Sequence, residues 1–259
     1  MKQFTEITSK DNRLIKLICS LQTSSKARVK ENRFILEGLR ICKDAFENSI
    51  EFDKLVVSKT AMEKYKEEIE QFSTVCDECV LLPDSLFEKI SDTTSPQGII
   101  CVAVIPEKVT ELDKNGRYIA LENINDPANL GAVARTAEAL GLNGIILSTC
   151  GCDAYSPKSL RSSMGTLLRM PLFFADDICD IISKNSLRSF ACVVDSNAED
   201  IRNIEFGSGD VLIIGNEANG ITDGTKSKAH KLVNIRMSGK AESLNAAAAA
   251  AIAIWEMVR

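Results

Sequence analysis

Three short stretches in the C-terminal half of the chain carry residue types that can bind and position a small ligand: Asp126–Arg135 (DPANLGAVAR), Ile214–Gly220 (IGNEANG) and Ile235–Asn245 (IRMSGKAESLN). They combine amides at Asn129 and Asn245, the carboxylate of Glu217, the hydroxyl of Ser243 and the guanidinium of Arg135. Glycines at 215 and 220 let a main chain approach a ligand closely. Other chemistries lack their parts. A dinucleotide enzyme needs G-x-G-x-x-G after a strand, and a phosphate-binding loop needs G-x-x-x-x-G-K-[ST]; neither occurs. A serine hydrolase needs G-x-S-x-G and a base, but that motif is absent and the single histidine, His230, sits on a polar segment. Taken alone, Asn129 and Arg135 would be a helix cap and a surface cation.

The elements that must position these residues follow from apolar patterning. Leu232–Ile235 predicts a short strand, Met237–Glu242 an exposed turn, and Ser243 the cap of an alanine-rich helix whose first N–H groups and positive dipole end face the loop. From Arg117 onward, strand, loop, helix and strand alternate. Asp126-Pro127 suits helix entry, Gly141 a helix end, and Ser156 before Pro157 a second capped helix. Alternation of this kind predicts a mostly parallel α/β sheet with its ligand site at the carboxyl ends of the strands. The N-terminal part reads as a smaller α/β domain. It begins with an amphipathic helix over about 7–24, followed by the loop TSSKARVKEN, the strand FIL, a helix from about Gly38 to Glu47, the strand KLVV, a charged helix near Met62–Glu70, a short strand near Ser73–Cys76, and the strand GIICVAVI. The predicted domains are 1–105 and 117–259, joined by the charged, apolar-poor linker 106–116.

A chain of 259 residues is long enough for two cores. It contains no apolar run long enough to span a bilayer and no secretory signal pattern, so the expected address is the cytoplasm. Nine cysteines, an odd number in mostly apolar surroundings, suit reduced thiols. Cys76 and Cys79 form one CxxC without a second pair or histidines at ligand spacing, so no metal is expected. The net charge is −5, yet residues up to Lys43 hold ten basic residues against four acids. A basic end on an acidic body suits phosphate binding at one place, or a solvated basic helix.

Taken together and in order, the three stretches resemble the three signatures of the SpoU-type RNA 2'-O-ribose methyltransferases. The third signature of that family usually reads Ile-Pro-Met, then Gly, then Ser-Leu-Asn; here Arg236 stands where the pattern has proline, a residue that would stiffen the loop by fixing φ. FILEG and SPQGIICVAV also resemble the substrate-binding domain that precedes many such catalytic domains, an α/β fold shared with ribosomal RNA-binding proteins. The resemblance implies a SPOUT fold with a C-terminal trefoil knot, a homodimer through that region, and methyl transfer from S-adenosylmethionine to a ribose 2'-oxygen, with ribosomal RNA the expected substrate. A transfer-RNA ribose methyltransferase, or a non-catalytic RNA-binding protein keeping the fold, are the alternatives. It places the cofactor on Gly215, Gly220, Ile235, Met237 and Leu244. Arg135 would act as a phosphate clamp, since guanidinium holds its proton at all working pH values. Glu217 would hold the arginine fork or accept the ribose hydroxyl, and Asn129, Ser243 and Asn245 would complete the catalytic set. Lys26, Arg28, Lys30, Arg33 and Arg161 are the expected RNA contacts.

Overall fold

The computed structural model describes residues 2–259, and among them it forms two compact units. The first comprises the chain up to Glu107 together with Tyr155–Arg169; the second comprises Lys108–Ala154 and Met170–Arg259. Residues 155–169, which the sequence assigns to the second domain, thus count with the first. Within that unit Tyr155 stacks against Phe34, with ring centroids 5.0 Å apart, and Arg169 pairs with Asp44 at 2.5 Å.

In the first unit, strands β1 (Thr5–Glu6), β2 (Arg33–Glu37), β3 (Phe52–Ser58), β4 (Glu78–Leu82) and β5 (Ile99–Val104) alternate with helices α1 (Arg13–Thr23), α2 (Ser25–Glu31), α3 (Leu39–Glu47), α4 (Lys59–Lys64), α5 (Lys66–Val75) and α6 (Asp84–Ile90). The sheet order is β1-β4-β3-β5-β2, with β5 antiparallel to both neighbours. Ile18 and Leu21 of α1 and Phe87 and Ile90 of α6 close one face over Ile35, Val56, Val80, Ile100 and Val102. Three expectations change here. The first helix starts at Arg13, where the Asn12 side chain accepts from Leu14 N, because Thr5–Glu6 pairs with β4 instead. The segment TSSKARVKEN is mostly helix α2, capped by Ser24 accepting from Ala27 N. Ser73–Val75 ends α5, and the strand lies further on at β4, whose CVL run the charged flanks disguise.

The second unit continues with β6 (Tyr118–Leu121), α7 (Pro127–Ala139) and β7 (Gly144–Ser148). Helices α8 (Pro157–Ser163) and α9 (Thr166–Arg169) belong to the first unit. Then follow β8 (Leu172–Ala175), α10 (Ile178–Lys184), β9 (Arg188–Cys192), β10 (Glu199–Asp200), β11 (Asp210–Ile214), α11 (Asp223–Lys228), β12 (Lys231–Asn234) and α12 (Ala246–Val258). The order is β10-β12-β9-β11-β6-β7-β8, and every pairing is parallel. Strands buried on both faces read as continuous apolar runs, as YIAL, GIILS and VLII do. Ile178, Cys179 and Ile182 of α10 cover the face made by Tyr118, Ala120, Ile146, Val211 and Ile213, and α7 packs along α12. The expected linker is irregular but pinned to this unit: Leu112 is buried, its N–H donates to Asn185 Oδ1 at 3.1 Å, and Asp113 O accepts from the Tyr118 hydroxyl. No helix of the described residues is long and apolar enough to cross a membrane.

At the opposite end of the sheet from the motif loops, Asp210 is fully buried and accepts from Arg188 Nε (2.7 Å), Arg188 Nη2 (2.8 Å) and Gly207 N (2.8 Å). Removing the arginine strands a buried carboxylate with one donor. Arg188→Ala should therefore lower unfolding stability by about 2–3 kcal/mol in urea titrations; a loss within the scatter of surface substitutions would refute this role.

Candidate active site

Parallel pairing puts the carboxyl ends of β6, β9, β11 and β12 on one side of the sheet, and the three motif loops leave from three of them. Asp126 caps α7 by accepting from Ala128 N at 2.9 Å, with Pro127 in the first turn, and this sets Asn129 on the buried face. The Asn129 amide then joins the loops. Its Nδ2 donates to Glu217 Oε1 at 2.8 Å, and its Oδ1 accepts from Asn245 Nδ2 at 3.0 Å. The Asn245 Oδ1 in turn accepts from Ala247 N (2.9 Å) and Ala248 N (3.2 Å). Asn245, not Ser243, is thus the cap of α12: the loop stays irregular two residues longer than the alanine run suggested, leaving Ser243 exposed beside the cavity described below.

Glu217 also accepts from the backbone N–H groups of Asn125 and Asp126, each at 3.4 Å. Partial burial pushes its carboxyl upward, but the Asn129 donor and the backbone donors outweigh burial and hold it below the ordinary carboxylate range. The second loop closes on itself. Asn216 and Gly220 exchange backbone hydrogen bonds of 3.0 and 2.9 Å, a Cβ on Gly215 would lie 2.3 Å from the Gly220 carbonyl carbon, and Gly220 has φ +65°. Both glycines are therefore required by the loop's own turn, whatever else approaches them.

Glu122, a residue that sequence reasoning passed over, fastens the far end of that loop. It is buried, and its carboxylate accepts from Thr222 N (2.9 Å), Thr222 Oγ1 (2.8 Å) and Thr225 Oγ1 (2.6 Å). A lone carboxylate closing the apolar strand YIAL was the available signal, since such a charge must find partners.

A cavity of about 520 Å³ lies against the second and third loops. Gly215, Gly220, Ile235, Met237 and Leu244, the five expected cofactor contacts, all line it, together with Val193–Asp195 after β9. Its walls are polar and apolar in equal measure, and its charged lining residues are Asp195, Glu217 and Glu242 against Lys226 alone. Such a lining fits a ligand with both polar and apolar parts and a positive centre, as S-adenosylmethionine has, and does not suit a pyrophosphate.

Arg135 stands apart from the cavity lining. Six residues on a helix rotate a side chain to a position about 120° from the first, so Arg135 is exposed while Asn129 is buried, and among the described residues it makes no ion pair. The expected Arg135–Glu217 pair is not formed; Glu217 is held by Asn129 and backbone amides. Of the expected RNA contacts, Lys26 and Lys30 are exposed. Arg28 is corrected: it is 4 % exposed and donates to the carbonyls of Leu21 and Gln22, so it braces the end of α1. Arg33 pairs with Asp53 at 2.9 Å and Arg161 with Asp92 at 2.8 Å, which ties part of their charge within the first unit.

An all-parallel sheet whose strand ends gather three loops around one acid-lined cavity defines a small-ligand-binding α/β domain. The profile of the SpoU rRNA methylase family matches residues 116–255, and that of an MRM3-like substrate-binding domain matches residues 12–101. The chain belongs to the SpoU rRNA methylase family. It is 27 % identical over 254 residues to the Bacillus subtilis 23S rRNA (guanosine(2553)-2'-O)-methyltransferase, covering 97 % of this chain and 98 % of the relative. It is 27 % identical over 267 residues to the Streptomyces viridochromogenes 23S rRNA (uridine(2479)-2'-O)-methyltransferase, covering 98 % and 91 %. The AdoMet-bound rRNA methyltransferase of Sinorhizobium meliloti superposes with a TM-score of 0.88 at 26 % identity, over 99 % of this chain and 98 % of that one.

The Asn129 donor is the leading one of the contacts that lower the Glu217 carboxyl against burial. Asn129→Ala should raise the Glu217 pKa toward or above the ordinary carboxylate value, followed by carboxyl-carbon NMR titration. The stabilisation from this contact is present above the unfolded carboxylate pKa and lost as pH falls through the depressed folded value. An unshifted titration in the variant would contradict the assignment.

Proposed function

We propose that the chain transfers a methyl group from S-adenosylmethionine to a ribose 2'-hydroxyl of ribosomal RNA. The observation that carries this is the hydrogen-bonded chain Glu217–Asn129–Asn245, which ties all three motif loops together beside the acid-lined cavity. The names of the two 23S rRNA relatives, which span nearly the whole chain, support ribosomal rather than transfer RNA.

S-adenosylmethionine, when bound, supplies a methyl group on a sulfonium, already electrophilic, so the protein's work is to bind, align and manage one proton. Gly215, Gly220, Ile235, Met237 and Leu244 would hold the cofactor through the loop backbone and apolar contact. Ser243 and Asn245, at the entrance to α12, would orient the ribose hydroxyl by hydrogen bonds. Glu217, a carboxylate at neutral pH, is suited to take the proton of that hydroxyl as its oxygen bonds the methyl carbon, the methyl–sulfur bond breaking to leave S-adenosylhomocysteine. Arg135, exposed and without an ion-pair partner among the described residues, would grip the phosphate beside the target ribose with its planar fork. The exposed Lys26 and Lys30 of α2 would add sequence-independent phosphate attraction.

The same reading includes the knotted C-terminal segment, a cytoplasmic address, and a homodimer. An exposed apolar stripe on α12 supports the dimer: Ile252 is 41 % and Trp255 57 % exposed, three residues apart and one turn beyond exposed Ala248.

Ribosomal RNA lacking its native methylations, incubated with methyl-tritiated cofactor, should acquire label in dinucleotides that survive alkali, because a 2'-O-methyl group blocks the internal attack that cleaves RNA. Label confined to bases, or no label, would overturn the assignment. In the same assay Arg135→Ala should keep the affinity for S-adenosylhomocysteine and lose at least about a hundredfold in kcat/KM, equivalent to about 2.7 kcal/mol. Arg135→Lys should retain part of the rate, since the charge survives without the fork. Loss of cofactor affinity in Arg135→Ala would instead place the arginine at the cofactor.

A further inference from the structure

Residues 235–244 connect β12 to α12 and carry the third motif, yet among the described residues they take part in no backbone–backbone hydrogen bond outside the strands and helices. Their anchorage falls to side chains. Arg236 Nη1 donates to Ser196 O at 3.1 Å, its Nη2 donates to Ala198 O at 3.4 Å, and its Nε lies 3.9 Å from Asp200 Oδ2. All three acceptors sit on the segment that follows β9. Two residues before Arg236, Asn234 Nδ2 donates to Asp195 O at 2.6 Å, so two alternate positions at one strand end are stitched to one turn.

Those two segments continue the paired strands β12 and β9 and line the same cavity, Ile235 and Met237, the sequence neighbours of Arg236, from the first and Val194 and Asp195 from the second. The Arg236 side chain is 45 % exposed, so its contribution to core packing is small and its hydrogen bonds are its main structural contact. A planar fork with five donors can reach several acceptors spread along a turn, which a single ammonium cannot do at once.

We propose that Arg236 is a positioning residue for the cofactor: it ties the third-motif loop to residues 196–200 and so fixes Ile235 and Met237 in their places in the cavity lining, a role that rests on this cavity being the cofactor site. The same restraint could be supplied from within the backbone by a residue of fixed φ, which is what proline at this position would do. An untethered loop has to be ordered when the ligand binds, and that ordering cost appears as lost affinity.

The test compares the wild-type full-length chain with Arg236→Ala, Arg236→Lys and Arg236→Pro by calorimetry with S-adenosylhomocysteine and by amide hydrogen exchange without ligand. Alanine should weaken binding about tenfold, roughly 1.4 kcal/mol, and accelerate exchange across residues 236–244, while the urea midpoint stays near the wild-type value. Lysine should fall between, and proline should recover most of the affinity. Wild-type affinity and exchange in the alanine variant overturn the proposal, as does a proline variant no tighter than the alanine one. If the wild-type protein binds neither S-adenosylmethionine nor S-adenosylhomocysteine, the cofactor assignment itself falls, and the exchange comparison alone decides whether Arg236 tethers the loop.

Discussion

The arrangement depends on one side-chain amide. Asn129 is the residue that can donate to Glu217 and accept from Asn245 at the same moment, and it does both from the buried face of α7. A neutral amide suits this place because it has one group of each kind in a fixed plane. An aspartate would meet Glu217 with like charge, and an alanine would leave an ionised acid and a helix-capping amide without their shared partner. A hydrogen bond to a charged group contributes about 1.5–3 kcal/mol. That is enough to hold three irregular loops in one geometry, although none of them has a regular ladder to lean on.

The sheet explains why those loops meet at all. All-parallel pairing sends the ends of β6, β11 and β12 to the same side, so residues about 90 or more positions apart in sequence converge there. Glu122 then extends the control of the β6 end to Thr222 and Thr225, on the far side of the second loop, and Asn216 Nδ2 donates to Asn123 O at 2.7 Å on the near side. The loop is thus held at both ends by consecutive residues of one strand terminus, with Gly215 and Gly220 permitting the tight turn between. The third loop has side-chain anchors instead: Arg236 and Asn245 hold its two ends.

Much of this was legible before the fold was known, for a physical reason. Buried parallel strands need uninterrupted apolar runs, so YIAL, GIILS and VLII declared themselves, and Asp126-Pro127 and Ser156-Pro157 combine a side-chain cap with a preset φ. The five expected cofactor contacts come from the family motif, and all five line one cavity. The misses share a different cause. Helix α2 was hidden because its residues are polar and its formation depends on the Ser24 cap and on Arg28 turning inward, a choice that only packing makes. Ser243 and Asn245 are both good caps, and alanine propensity extends to either; the hydrogen bond from Asn245 to Asn129 decides between them. The resemblance offers Glu217 either the Arg135 fork or the ribose hydroxyl, and helical rotation puts the arginine on another face from the residue that Glu217 meets.

The central claim is that the three loops act as one unit through Asn129, and its most direct measurement is a double-mutant cycle between two residues that do not touch each other. Glu217→Gln, Asn245→Ala and their combination are compared with the wild type in kcat/KM for methyl transfer. If Asn129 couples them, the double variant should lose at least about 1 kcal/mol less than the two single losses added together, because either substitution alone already releases the shared amide. Additive losses, within a few tenths of a kcal/mol, would mean that the loops reach their positions independently and would contradict the account.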